Sequence, residues 1–162
     1  MLVFVCLAAC GGASPPPAAP TAAAPAAAAP ADGYDAALAA RLGADEYGMH
    51  RYVIAFLKAG PNRGQSEEEA QALQRAHLAN IERMANEGTL VLAGPFLDDG
   101  PLRGIYVFKV DTVEEARALT ATDPAIQAGR LEMELHPWYG SAALQEITAI
   151  HGRLQAKRVS EP

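Results

Sequence analysis

The chain has 162 residues and a formal net charge of -6, enough for one compact domain plus extensions and on average repelled by a phosphate backbone. It contains no basic patch with interleaved aromatics, no phosphate loop, no GxSxG elbow and no dinucleotide fingerprint. Nucleic-acid binding is therefore discounted, and nucleotide, serine-hydrolase and nicotinamide chemistry are disfavoured.

The first charged residue is Asp32 and the first basic one is Arg41. Leu2 to Ala9 is a short apolar run, well under the roughly 20 residues that span a bilayer. No basic residue precedes it, although a signal peptide ordinarily opens on a positive region. The run ends in Leu7-Ala8-Ala9-Cys10, a tetrapeptide that resembles the lipobox of bacterial lipoproteins. That resemblance implies a signal peptide over 1–9, cleavage before Cys10 and a lipid on its thiol as the sole membrane attachment. With Gly11 rather than Asp next, it implies an outer-membrane address facing the periplasm. Residues 10–31 read as a tether: Pro15, Pro16, Pro17, Pro20, Pro25 and Pro30 break any alanine helix. They favour an extended polyproline spacer reaching about 3 Å per residue. Cys6 would leave with the signal and Cys10 would be acylated, so no disulfide is expected. The CxxxC pair has no second ligand pair and is no zinc site.

Residues 32–47 form a lead-in, with a short helix over Asp35 to Leu42 stopped by Gly43. The domain proper, 48–140, opens on Arg51 to Lys58, RYVIAFLK, dense in β-branched and aromatic residues and read as a largely buried strand. Gly60-Pro61-Asn62 makes a loop. Ser66 with Glu69 is a capping box that starts a helix, and Gly88 ends it. Between them Ala70, Leu73, His77, Ile81 and Met84 recur at helical spacing and share one stripe, which Asn80 borders. An imidazole buried in that stripe needs a polar partner from elsewhere in the fold, or it costs about 1–3 kcal/mol.

Thr89 to Ala93 is a second strand, and Asp98-Asp99-Gly100-Pro101 supplies the turn into a third over Gly104 to Val110. Thr112 with Glu115 is a second capping box, and Asp123-Pro124 starts one more turn of helix that Gly129 ends. Leu131 to His136 alternates strictly, with Glu132, Glu134 and His136 on the polar side. The order strand, helix, strand, strand, helix, strand is an α+β, ferredoxin-like βαββαβ unit with an antiparallel sheet and both helices on one face. The apolar residues of the first and third strands cannot all lie under the helices. Face-to-face pairing of two sheets in a homodimer covers the remainder. Ser141 caps a last helix in the 141–162 segment, with Leu144, Ile147, Ile150 and Leu154 on one side, packing on the sheet or on a partner subunit.

Arg75-Ala76-His77-Leu78-Ala79-Asn80, Gly88-Thr89-Leu90, Gly94-Pro95, Arg103-Gly104, Glu114-Glu115-Ala116, Asp123-Pro124, Gly129 and Pro137-Trp138 occur in an order and spacing that resembles the YCII-related (YciI-like) domain family over about 49–139. The resemblance implies a dimeric α+β barrel of ferredoxin-like halves and an active site built on a His–Asp pair, here His77 and Asp123. It also implies kinship with dehydrochlorinases acting on chlorinated aromatic breakdown products. The lipobox, the spacer and the C-terminal helix depart from the usual form of the family.

An aspartate beside an imidazole fixes its tautomer and leaves a base able to move a proton on a bound small molecule near neutral pH. Asp before Pro is also a preferred helix cap, and one carboxylate can serve both ends. Asn80, Arg103 and Trp138 are the candidate substrate-binding residues. Glu132, Glu134 and His136 share a strand face but read as a polar edge rather than metal ligands. No metal and no cofactor is expected, and the small-molecule ligand is left unnamed. Two functions follow: a cell-envelope lyase or isomerase with His77 as base in a cleft open to solutes, or a non-catalytic envelope module that binds a small ligand or serves a structural role.

Overall fold

The computed structural model describes residues 32–158. The expected signal peptide, the lipidation candidate Cys10 and the expected tether lie outside the described residues, and the unit considered below starts at Asp35. Its elements are α1 (Ala36–Arg41), β1 (Met49–Ala59), α2 (Glu67–Asn86), β2 (Leu90–Pro95), β3 (Leu102–Phe108), α3 (Val113–Thr120), α4 (Pro124–Gln127) and β4 (Leu131–Ser141). A 3-10 turn (Ala142–Glu146) and α5 (Ile147–Leu154) follow. The sheet is antiparallel with strand order β2-β3-β1-β4, the ferredoxin-like order expected from the succession of elements.

Both capping boxes form. Glu69 accepts from the Ser66 backbone N–H at 2.8 Å while the Ser66 hydroxyl accepts from Glu69 N at 3.2 Å, and Thr112 with Glu115 repeats the exchange. Gly88, at φ 74°, supplies the left-handed residue that stops α2. The Ser66 N–H holds the Glu69 carboxyl below its ordinary range, and the Thr112 hydroxyl and N–H do the same for Glu115. A carboxylate depressed in the folded state contributes stability that is complete above its unfolded pKa, about 4.3, and is lost as pH falls through the lower folded value. Stability measured by denaturant unfolding is therefore expected to fall less steeply below about pH 4 in Glu69→Gln and Glu115→Gln than in wild type. Identical slopes would mean that the boxes do not form in solution.

The alternation of β1 and β3 divides the core. Val53, Ala55 and Leu57 of β1 with Tyr106 and Phe108 of β3 lie beneath the helices against Met84 and Ala116. Tyr52 and Val107 face the other way and cluster with Val91, Ile54 and Leu92. At this end Leu144 of the same chain packs on the second face. A Cβ on Gly104 would stand 2.5 Å from the Gly94 carbonyl oxygen, so the start of β3 closes on β2 only with glycine there.

Two boundaries differ from expectation. Pro137-Trp138 does not close β4, which stays paired with β1 out to Ser141. β4 is an edge strand, where a proline can turn its missing N–H away from the ladder. Ser141 caps a 3-10 turn rather than a continuous last helix, accepting from Ala143 N at 3.3 Å. Ile150 and Leu154, expected on the packed side, are 51% and 76% exposed. Within the chain the segment is held through Leu144, the Gln145 amide on the Leu42 carbonyl (2.6 Å) and the Arg41–Glu146 ion pair (2.7 Å).

Candidate functional site

His77 sits in the middle of α2 on its buried side, and Asp123 caps α4, whose first residue is Pro124. The chain separation of these two residues is closed by packing. Asp123 Oδ2 lies 2.7 Å from His77 Nδ1, and Asp123 Oδ1 accepts from Ala125 N at 2.9 Å. The carboxylate is thus both helix cap and imidazole partner, and it is fully buried. His77 Nε2 lies 3.3 Å from the Tyr106 hydroxyl, with the two rings stacked at 6.1 Å between centroids.

The bonding pattern assigns the protons. Burial, and secondarily the nearby Asp123 carboxylate, pushes the Tyr106 phenol well above its ordinary range, so its oxygen keeps its proton. An ionised carboxylate only accepts, so Nδ1 carries the proton donated to Asp123. In the neutral ring Nε2 then has the lone pair, and it accepts from Tyr106 O–H. At 3.3 Å that bond is long, whereas the Asp123 bond is short. His77 is anchored at Nδ1 and loosely held at Nε2, the nitrogen on which a base would work.

Asn80 is one turn further along α2 and buried. Its Oδ1 accepts from Arg83 Nη2 at 2.8 Å and lies 3.1 Å from the hydroxyl of Thr122, the residue before Asp123. Arg83 Nη2 also reaches Thr122 Oγ1 at 3.0 Å, tying α2 to the loop that delivers Asp123.

The other expected site residues do not join them. Trp138 pairs with Tyr52 across β1 and β4, with ring centroids 5.9 Å apart, on the sheet face away from α2. Arg103 is exposed at the start of β3, and its carbonyl accepts from Phe96 N. Glu134 is paired with Lys58 and with His136, as a polar strand face would be. The expected open cleft beside His77 is also not seen. His77 is 8% exposed. Two surface hollows among the described residues, of about 410 and 300 Å³, are lined by Pro61–Gln65 with Glu69 and by His50, Lys109, Val110, Asp111 and Glu115 rather than by His77.

Tyr106, Arg83 and Thr122 were not among the expected site residues. A signal for Tyr106 exists: it alternates with Phe108 on a core face, and a buried phenol requires a partner.

A family model described as the YCII-related domain matches residues 54–139, close to the span that carried the resemblance. The chain is 32% identical over 62 residues to "Uncharacterized protein YjpA" of Bacillus subtilis, covering 38% of this chain and 71% of that one. Among solved structures it matches 5-chloro-2-hydroxyhydroquinone dehydrochlorinase from Burkholderia phenoliruptrix, in complex with 2,5-dihydroxybenzoquinone. That match has 20% identity and a TM-score of 0.41, and it covers 55% of this chain and 93% of that one.

Proposed function

The chain belongs to the YCII-related domain family, and from that premise we propose that its domain transfers a proton on a small molecule, as a lyase or isomerase of the dehydrochlorinase kind. The observation that carries the proposal is the 2.7 Å contact between His77 Nδ1 and the buried Asp123 carboxylate. Asp123 fixes the tautomer and stabilises the imidazolium formed when Nε2 takes a proton. Tyr106 occupies Nε2 in the resting chain through a bond weak enough to yield to substrate. Positioned acid–base catalysis of this kind contributes about 10²–10⁴-fold.

The Leu7-Ala8-Ala9-Cys10 tetrapeptide supports placing the domain in the cell envelope, lipid-anchored at Cys10 and facing the periplasm. The part of the sheet face that Leu144 leaves uncovered, where Phe56 and Ile105 are half-buried, supports a second copy of the chain as partner. A second reading, a non-catalytic ligand-binding or structural module, is favoured by the near-complete burial of His77.

Chloride release from 5-chloro-2-hydroxyhydroquinone separates the two. The proton-transfer reading expects turnover by wild type and a loss of about 10²–10⁴-fold in folded His77→Gln. Equal rates in the two proteins, or no turnover by either, favours the module.

A further inference from the structure

We propose that Asn80 recognises the substrate's oxygen, which makes the substrate of the His77 site a carbon acid activated by an adjacent carbonyl, the ketone form of a phenol included. This rests on the proton-transfer reading and adds the chemical class to it. Asn80 is 8% exposed and follows His77 by one turn on the buried side of α2. Side chains at that spacing are neighbours, with Cβ atoms about 5–6 Å apart. A motion of the fold that admits a molecule to His77 therefore brings it beside Asn80 as well.

The orientation of the carboxamide is fixed. Arg83 can only donate, so the end that meets its Nη2 at 2.8 Å is the oxygen. Turning the amide over would set two donors against each other. The remaining end, Nδ2, is buried and meets no acceptor among the described residues. A buried unpaired donor costs stability, and native proteins keep few of them. Here one is kept a single turn from a base and its carboxylate, in an amide held by Arg83 and Thr122.

Such a donor suits an oxygen that gains charge during reaction. As His77 Nε2 takes the proton, the C–H bond breaks, an N–H bond forms, and the electron pair moves onto the oxygen as an enolate or phenolate. Asn80 Nδ2 donates to that oxygen. The pair then returns either to bind a proton at another carbon, which is isomerisation, or to expel chloride from the adjacent carbon, which is elimination. His77 gives its proton back to product or to water. Arg83 is a positioning residue in this scheme: its Nη1 is paired with Glu87 at 2.7 Å and its Nη2 holds Asn80 and Thr122.

4-Nitrophenol, whose absorbance reports ionisation of its oxygen, is the probe. Added to the nitrogen-15-labelled chain, it is expected to move the Asn80 side-chain amide signals together with the His77 ring signals. Asn80→Asp keeps an acceptor for Arg83 and puts a second oxygen where the donor was. It is expected to weaken binding about tenfold and to reduce the ionised fraction of bound probe. Thr122→Val, which leaves the donor in place, is expected to weaken binding less. Movement of His77 signals alone in wild type, or Asn80→Asp binding as tightly as wild type, overturns the assignment and leaves the proton-transfer reading standing. Movement at neither residue overturns both.

Discussion

Asp123→Ala is expected to lose about 2–4 kcal/mol of unfolding free energy, an orphaned buried donor on His77 at about 1–3 kcal/mol together with a lost helix cap at about 1 kcal/mol. Three contributions meet in this side chain. Oδ2 holds His77 Nδ1 at 2.7 Å, Oδ1 caps α4 at Ala125 N, and the residue is fully buried, so truncation leaves a small cavity and two donors without acceptors. The cap alone is worth about 1 kcal/mol, and Asn caps as well as Asp does. Asp123→Asn should therefore recover that share while remaining below wild type, because a neutral amide is a weaker acceptor for His77. Denaturant unfolding with an unchanged slope measures both variants. A loss under about 1 kcal/mol in the alanine variant, no more than a cap, would show that the imidazole contact contributes nothing in solution.

Much of this site was legible from the chain, and what was not shares one cause. The capping boxes at Ser66 and Thr112, the helical stripe through His77 and the alternation after Leu131 are local patterns, and each element they announce is present. His77 with Asp123 became legible through the family resemblance, since no local pattern links residues so far apart. Tyr106 was missed because naming it as the partner of Nε2 requires knowing how β3 lies beneath α2. Trp138, a candidate for substrate binding, shares parity with Glu134 and His136 and so lies on the sheet face away from His77. The register of β4 on β1, with Trp138 opposite Tyr52, decides the face, and a single sequence does not carry it. Ile150 and Leu154 show the same limit: periodicity marks an apolar side of a helix but not whether anything covers it. The closed surface over His77 is likewise a product of packing, invisible to spacing.

Tyr106 carries the second large effect and the sharpest separation of structure from chemistry. Tyr106→Ala is expected to lose about 3–5 kcal/mol, as for other large buried rings. The side chain is 2% exposed, stacked on His77 and set edge-on to Phe108 at 5.6 Å and 85°. Tyr106→Phe keeps both ring contacts and gives up one hydrogen bond. At 3.3 Å that bond belongs at the low end of the usual 0.5–1.5 kcal/mol range, so a loss of about 0.5 kcal/mol is expected. The chloride-release rate decides what the hydroxyl does. It holds its proton firmly and occupies the lone pair that the proposed proton transfer would use, so under that proposal Tyr106→Phe is expected to stay within about tenfold of wild type while His77→Gln falls by about 10²–10⁴-fold. A phenylalanine variant as inactive as His77→Gln would place Tyr106 in the path of the proton, with the base action running through its oxygen and His77 reduced to accepting from it.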